Sequence, residues 1–251
     1  MPTLTTISPP ADAKIIRIFL LDRSGSMETS ADDTIGGFNA FVDEQKEFGG
    51  TLSLYQFDHE ILCDYQHMPI TEVPRMTRKT FMPRGSTALL DSIGEVMKSQ
   101  NIPENFTEQE ITVKFIIFTD GLENSSHKYT SAHVKDLIEL YTKKGWDFMY
   151  LGANQDAIME ATKMGINTQN AMTYDAVDTG GAFRTLSATM SQQARGLNTT
   201  LSQQPGVGLA PAPALSPVPS VVPDAAFAFD ISRNYGGTGG GIAPAPSFAP
   251  N

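Results

Sequence analysis

The sequence predicts an α/β fold: a doubly wound, mostly parallel sheet with one antiparallel edge strand, flanked by helices. Three observations carry that expectation. Residues 15–21 and 111–118 (IIRIFLL and ITVKFIIF) are short and almost wholly apolar, as strands covered on both faces must be. Such runs alternate along the chain with segments whose apolar residues recur at helical spacing. Both runs stop abruptly at an acid, Asp22 and Asp120, where an open α/β sheet presents its binding edge.

The elements follow in order. After the first strand, Ala31-Asp32-Asp33-Thr34 offers capping side chains, and Ile35, Phe38 and Val42 mark one face of a helix running to about Lys46. Gly49-Gly50 stops it. Residues 51–57 (TLSLYQF) and 61–67 (ILCDYQH) read as two strands joined by the turn Asp58-His59-Glu60, a hairpin at the sheet edge. Residues 68–86 have three prolines, a cluster of Arg and Lys, and no period. Leu89, Ile93, Val96 and Met97 line a helix between Thr87 and about Ser99. A polar loop over 101–110 leads to the second buried strand. Val134, Leu137, Ile138 and Tyr141 mark the next helix, which Gly145 ends. A strand over 147–153, a short helix over 156–164, a short strand near 171–174 and a helix around 182–195 complete the alternation.

A chain of 251 residues accommodates one such domain and an appendage. We divide it into a flexible leader over 1–13, a domain over 14–196, and a Pro/Ala/Gly-rich tail over 197–251. From about Gln204 the tail has only Asp224, Asp230 and Arg233 charged, a composition expected to be disordered. It serves as a linker or, through Phe227, Phe229 and Tyr235, as a docking segment. The net charge of −10 argues against a nucleic-acid surface. No apolar run approaches the ~20 residues of a membrane span, and the start lacks a secretory pattern. A cytoplasmic protein is expected. Cys63 is the one cysteine, so no intrachain disulfide forms, and it reads as a small core residue.

Chemistry concentrates in three segments. Asp22-x-Ser24-x-Ser26 puts three oxygen-bearing side chains at alternate positions after the first buried strand, with Gly25 allowing a tight turn. Asp120 follows the second, in Thr119-Asp120-Gly121. Thr87 opens a helix that starts on the same sheet edge if the strands are parallel neighbours. Hard divalent cations take oxygen ligands, and one loop cannot supply six. Taken alone, the Asp-x-Ser-x-Ser loop reads as helix capping, and Thr87 as a first-turn residue.

The set Asp22, Ser24, Ser26, Thr87 and Asp120 resembles the metal-ion-dependent adhesion site of von Willebrand factor A domains. The stretches FLLDRSGSM, DTIGGFNAFVDEQK, FMPRGSTALLDSIG, TDGLENSS and GWDFMYLGANQDA resemble small stand-alone A-domain proteins of bacteria and their phages, over about residues 14–190. The resemblance implies that Ser24, Ser26 and Thr87 bind Mg2+ (or Mn2+) directly, with Asp22 and Asp120 holding its waters and orienting the hydroxyls. It implies an open metal position filled by an Asp or Glu carboxylate of a partner protein.

Two rivals differ in class. In a structural or assembly subunit, for example a phage-encoded one, the metal supports a subunit contact. A hydrolase is disfavoured: Ser24 stands where a phosphate-transferring aspartate has its second acid, no G-x-S-x-G elbow occurs, and no general base adjoins the motif. Arg75, Arg78, Lys79 and Arg84 form a solvated loop or a rim for an acidic partner. Asp58, Glu123 and Asn124 border the motif or serve turns. His59, His67, His127 and His133 lack zinc spacing. Trp146 reads as core or rim, and the glycines at 236–241 lack the Lys-Ser/Thr of a phosphate loop.

Overall fold

A computed structural model of the protein describes residues 14–102, 110–153 and 156–203, with Leu4, Pro9 and Phe106. The expected disorder beyond Gln203 and most of the leader lie outside the described residues.

Six strands form one mixed sheet in the order β3-β2-β1-β4-β5-β6. They are β1 (Ile15–Asp22), β2 (Thr51–Phe57), β3 (Ile61–Pro69), β4 (Thr112–Thr119), β5 (Trp146–Ala153) and β6 (Ala171–Tyr174). Every neighbouring pair is parallel except the β2–β3 hairpin, which puts its antiparallel strand on the edge. The helices are α1 (Ala31–Gln45), α2 (Leu89–Ser99), α3 (Ser131–Lys143), α4 (Ala157–Lys163) and α5 (Thr179–Ala194). Among the described residues no helix is long and apolar enough to cross a membrane.

The continuous apolar runs follow from two cores, one on each face. Ile16, Ile18 and Leu20 of β1 pack with Leu89, Ile93, Val96 and Met97 of α2, and with Val134 and Ile138 of α3. Phe19 and Leu21, pointing the other way, pack with Phe38, Phe41 and Val42 of α1 and Phe183, Leu186 and Met190 of α5. Phe19 stands among the rings of Phe38, Phe41, Phe118 and Phe183, with centroids 5.4–6.4 Å away. Arg17 lies fully buried on that second face, donating to Gly49 O at 2.7 Å and Gln45 Oε1 at 3.2 Å. Burial pulls its guanidinium down to about 10.

The structure shifts several expected boundaries. A 3-10 turn over Gly25–Ser30 precedes α1. α2 begins at Leu89 rather than Thr87, leaving Thr87 in the loop before it. α5 begins at Thr179 instead of 182, because Asp178 caps it by accepting from Gly181 N at 2.9 Å. Gly180 and Gly181, poor helix formers, had masked that first turn. The segment 68–86 anchors Ile70, Val73, Met76 and Phe81 in the α1–α5 core. Asn39 holds it from α1, donating to Met76 O at 3.0 Å and accepting from Met76 N at 2.8 Å. Beyond α5, Leu201 is buried in the same core.

Candidate metal centre

β1 and β4 are adjacent and parallel, with Leu21 opposite Phe118, so the segments following Asp22 and Thr119 leave the sheet side by side. This is the carboxyl edge where the strand order turns back on itself, the location that open α/β sheets use for ligands. Asp22 is fully buried. Its Oδ1 accepts from Ser24 N at 2.6 Å and its Oδ2 from the Thr119 hydroxyl at 2.5 Å. The first bond turns the chain sharply after the strand; the second ties it to β4. Ser24 Oγ lies 3.1 Å from Ser26 Oγ, and the Ser26 hydroxyl donates to Asp120 Oδ1 at 2.6 Å.

Thr87 reaches the same point from α2's side. Gly121 measures the approach: a Cβ there would lie 2.9 Å from Thr87 Oγ1 and 3.7 Å from both Asp22 Oδ2 and Ser24 Oγ. All five residues singled out from the sequence therefore stand around one space.

Neighbouring loops fix that space, and the sequence alone did not reveal how. Arg84 N donates to Arg23 O at 2.7 Å and Gly25 N to Gly85 O at 3.1 Å, so the 84–85 segment runs along the Asp-x-Ser-x-Ser loop. Gly85 has φ +68°, and a Cβ would come 2.4 Å from His59 Nδ1, so only glycine serves there. Behind these loops Asp58 is fully buried and pairs with Arg23 Nε at 3.2 Å and Arg84 Nε at 2.8 Å. Ala88 N donates to Asp58 O at 2.9 Å. Asn124 Oδ1 accepts from Thr87 N at 2.9 Å, and Glu123 accepts from Leu90 N at 2.8 Å, capping α2. Asp58, Glu123 and Asn124 thus do turn and capping work that also fixes the site's walls. Asp58, named from the sequence as a border or turn residue, follows a parallel strand at the carboxyl edge, as Asp120 does.

Three of the four basic residues of the segment, Arg84 among them, pair within the molecule. Arg75 pairs with Asp43 at 2.7 Å; Arg78 pairs with Glu28 and Asp32 at 2.9 and 2.6 Å. Asp58, His59 and Glu60 also stand close enough together to share a cation, but Arg23 and Arg84 already neutralise that cluster.

Asp22 and Asp120 differ in this respect. Among the described residues no Lys, Arg or His forms an ion pair with either. Burial lifts the Asp22 carboxyl to about 6, and the neighbouring charge of Asp120 adds to the rise. Asp120 is raised by burial as well. Two carboxylates without a counter-cation, ringed by three hydroxyls, make a donor set suited to a hard divalent ion.

This architecture and strand order define a von Willebrand factor A-like fold. Solved structures with it include the pilus adhesin SpaC from Lactobacillus rhamnosus GG in an open conformation (11% identity over 75% of this chain and 31% of that one, TM-score 0.55). The vWF domain of the type V pili tip protein Mfa5 from Porphyromonas gingivalis matches at 10% identity, over 74% of this chain and 97% of that one (TM-score 0.53). Proximal thread matrix protein 1 of the mussel byssus, solved with a zinc-occupied MIDAS motif, matches at 14% identity and TM-score 0.51, over 72% of this chain. The match covers 48% of the mussel chain. At such identities the likeness is one of fold. No protein-family model matches the sequence, and no curated protein does.

Proposed function

We propose that this chain is a protein-docking module whose contact runs through a divalent cation, Mg2+ or Mn2+, at the carboxyl edge of β1 and β4. Ser24, Ser26 and Thr87 would hold the cation through their hydroxyls, and Asp22 and Asp120 through its waters. When bound, the cation supplies a Lewis-acidic position for an anionic oxygen, here an Asp or Glu side chain of the partner protein. Neutral hydroxyls as direct ligands leave the metal's charge largely unquenched, which favours that anion. The observation carrying this reading is the convergence of all five side chains on one space, with two carboxylates that pair with no Lys, Arg or His among the described residues. The adhesin and the zinc-occupied mussel protein of the same fold support a binding role over a catalytic one.

Gly121 offers a test that substitutes none of the proposed ligands. A Gly121→Ala methyl would project beside Thr87 Oγ1. It is expected to weaken Mn2+ binding by about tenfold while moving the thermal midpoint by less than about 3 °C. Titration calorimetry and a melting curve check both. Undiminished Mn2+ affinity would mean that the cation space lies elsewhere.

The docking itself is tested by affinity capture with the full chain, the chain cut after Gln203, and Asp22→Ala, each in magnesium and in EDTA. A partner lost with EDTA and with the substitution, and retained by the shortened chain, is the expected result. A partner that survives both but disappears with the tail would move the function to residues 204–251.

A further inference from the structure

Exposed apolar side chains gather at the edge of the sheet that carries the candidate metal centre. Scattered singly over a surface such residues are ordinary; the information lies in where they collect. Among the described residues eight large ones are exposed, and six of these stand at the carboxyl edge. Leu122 directly follows Gly121 and is 58% exposed. Met82, 59% exposed, lies two residues before Arg84, whose N–H donates to Arg23 O at 2.7 Å. These two approach the metal centre from separate loops. Leu62 pairs with Gln56, next to last in β2. Ile158 and Met159 lie in the first turn of α4, where Ala157 N donates to Thr173 Oγ1 at 3.2 Å. Val177 lies in the turn after β6. The ends of β5 and β6 stand one and two strand spacings from that of β4, about 5 and 10 Å. The other two, Leu140 and Leu197, sit near the C-termini of α3 and α5, where helices returning from this edge end.

The charges beside this apolar rim are mostly matched. Arg78 pairs with Glu28 and Asp32, and Arg84 with Asp58 and Glu60. Of the basic residues between 75 and 84, Lys79 alone forms no ion pair among the described residues. The rim therefore has little spare positive charge for a run of acids. Its surface calls for apolar groups, and a cation held by Ser24, Ser26 and Thr87 calls for one carboxylate.

We propose that the partner docks a single Asp or Glu set between large apolar side chains, the carboxylate on the cation and its apolar neighbours on Met82 and Leu122. This rests on the metal-docking reading above and names the kind of segment that reading takes. A lone carboxylate buries little surface. Apolar flanks add area removed from water and shield the charged contact from solvent. Met82, unbranched and flexible, can settle against flanks of varied shape. A polyacidic segment would set its extra charges against apolar surface.

The test is calorimetric titration of the full chain, in Mn2+ and in EDTA, with four capped peptides whose cores are Phe-Asp-Leu, Gly-Asp-Gly, Phe-Asn-Leu and Asp-Asp-Asp. The same titrations on the Met82→Ser, Leu122→Ser double variant complete it, with a melting curve and Mn2+ affinity like the parent's verifying its fold and metal site. In Mn2+ the Phe-Asp-Leu peptide is expected to bind about tenfold more tightly than Gly-Asp-Gly, and the double variant to lose most of that advantage. Phe-Asn-Leu, and every peptide in EDTA, should bind far more weakly. Equal Mn2+-dependent affinity for the first two peptides, tighter binding of Asp-Asp-Asp, or an advantage that survives in the double variant overturns the inference and leaves metal docking standing. Phe-Asp-Leu binding that is the same in EDTA also overturns it. No Mn2+-dependent binding of any aspartate peptide at millimolar concentrations removes the docking reading and this inference together.

Discussion

The Asp58→Ala variant is expected to lose about 3–5 kcal/mol of folding stability, the cost of stranding a buried charge by deleting its partner. Asp58 is fully buried, and the Arg23 side chain facing it is 8% exposed. Without the carboxylate, the Arg23 guanidinium is left in a poorly hydrated setting without the acid it pairs with. In a domain of this size the loss lowers the thermal midpoint by about 10 °C. The backbone contacts of the 84–88 segment with Arg23, Gly25 and Asp58 should loosen too. Metal affinity therefore falls with stability, although Asp58 is not a proposed ligand. Arg84→Ala is the control. It removes the pair whose cation is 53% exposed and leaves Arg23 matched, so its effect on the melting curve should be far smaller. Equal losses in the two variants would place the energetic weight on the loop tether rather than on the buried charge.

That network shows where sequence reasoning stops. The strand runs were legible because burial on both faces demands unbroken apolar residues, and β1 and β4 obey it almost throughout. The candidate metal ligands were legible because each follows a strand or precedes a helix at one edge, and strand polarity alone brings those positions together. The Arg23–Asp58 pair joins residues from two loops with no local signature of the partnership. The 68–86 segment was opaque for a related reason. Its anchors Ile70, Val73, Met76 and Phe81 follow no period, since tertiary contacts with Asn39 and the α1–α5 core hold the backbone there. Periodicity reports elements whose own hydrogen bonds repeat; an irregular crossover has none to report. The basic residues Arg75, Arg78, Lys79 and Arg84 read as a solvated loop or a rim for an acidic partner; what the sequence did not show is that three of them, Arg75, Arg78 and Arg84, pair with acids of this chain.

Asp22→Asn should separate the metal's role from the fold's, and its effect on cation binding should be the largest of any single substitution. The carboxylate accepts from Ser24 N and from the Thr119 hydroxyl. An asparagine can preserve both links: its oxygen still faces Ser24 N–H, and its amide can donate to a Thr119 hydroxyl turned to accept. Only the charge is lost. Because that charge is desolvated and destabilised by Asp120, the metal-free variant should melt no lower than the metal-free parent. With cation the order reverses. Saturating Mn2+ at 100 times its dissociation constant stabilises the parent by about 2.7 kcal/mol, a rise of about 5–10 °C. Weakening the site by about 100-fold, the upper range for residues that orient metal ligands, removes most of that rise in Asp22→Asn. Melting curves of both proteins, in EDTA and in Mn2+, give the four values needed. If Mn2+ raises both midpoints equally, the cation does not bind beside Asp22, and docking through this edge loses its basis.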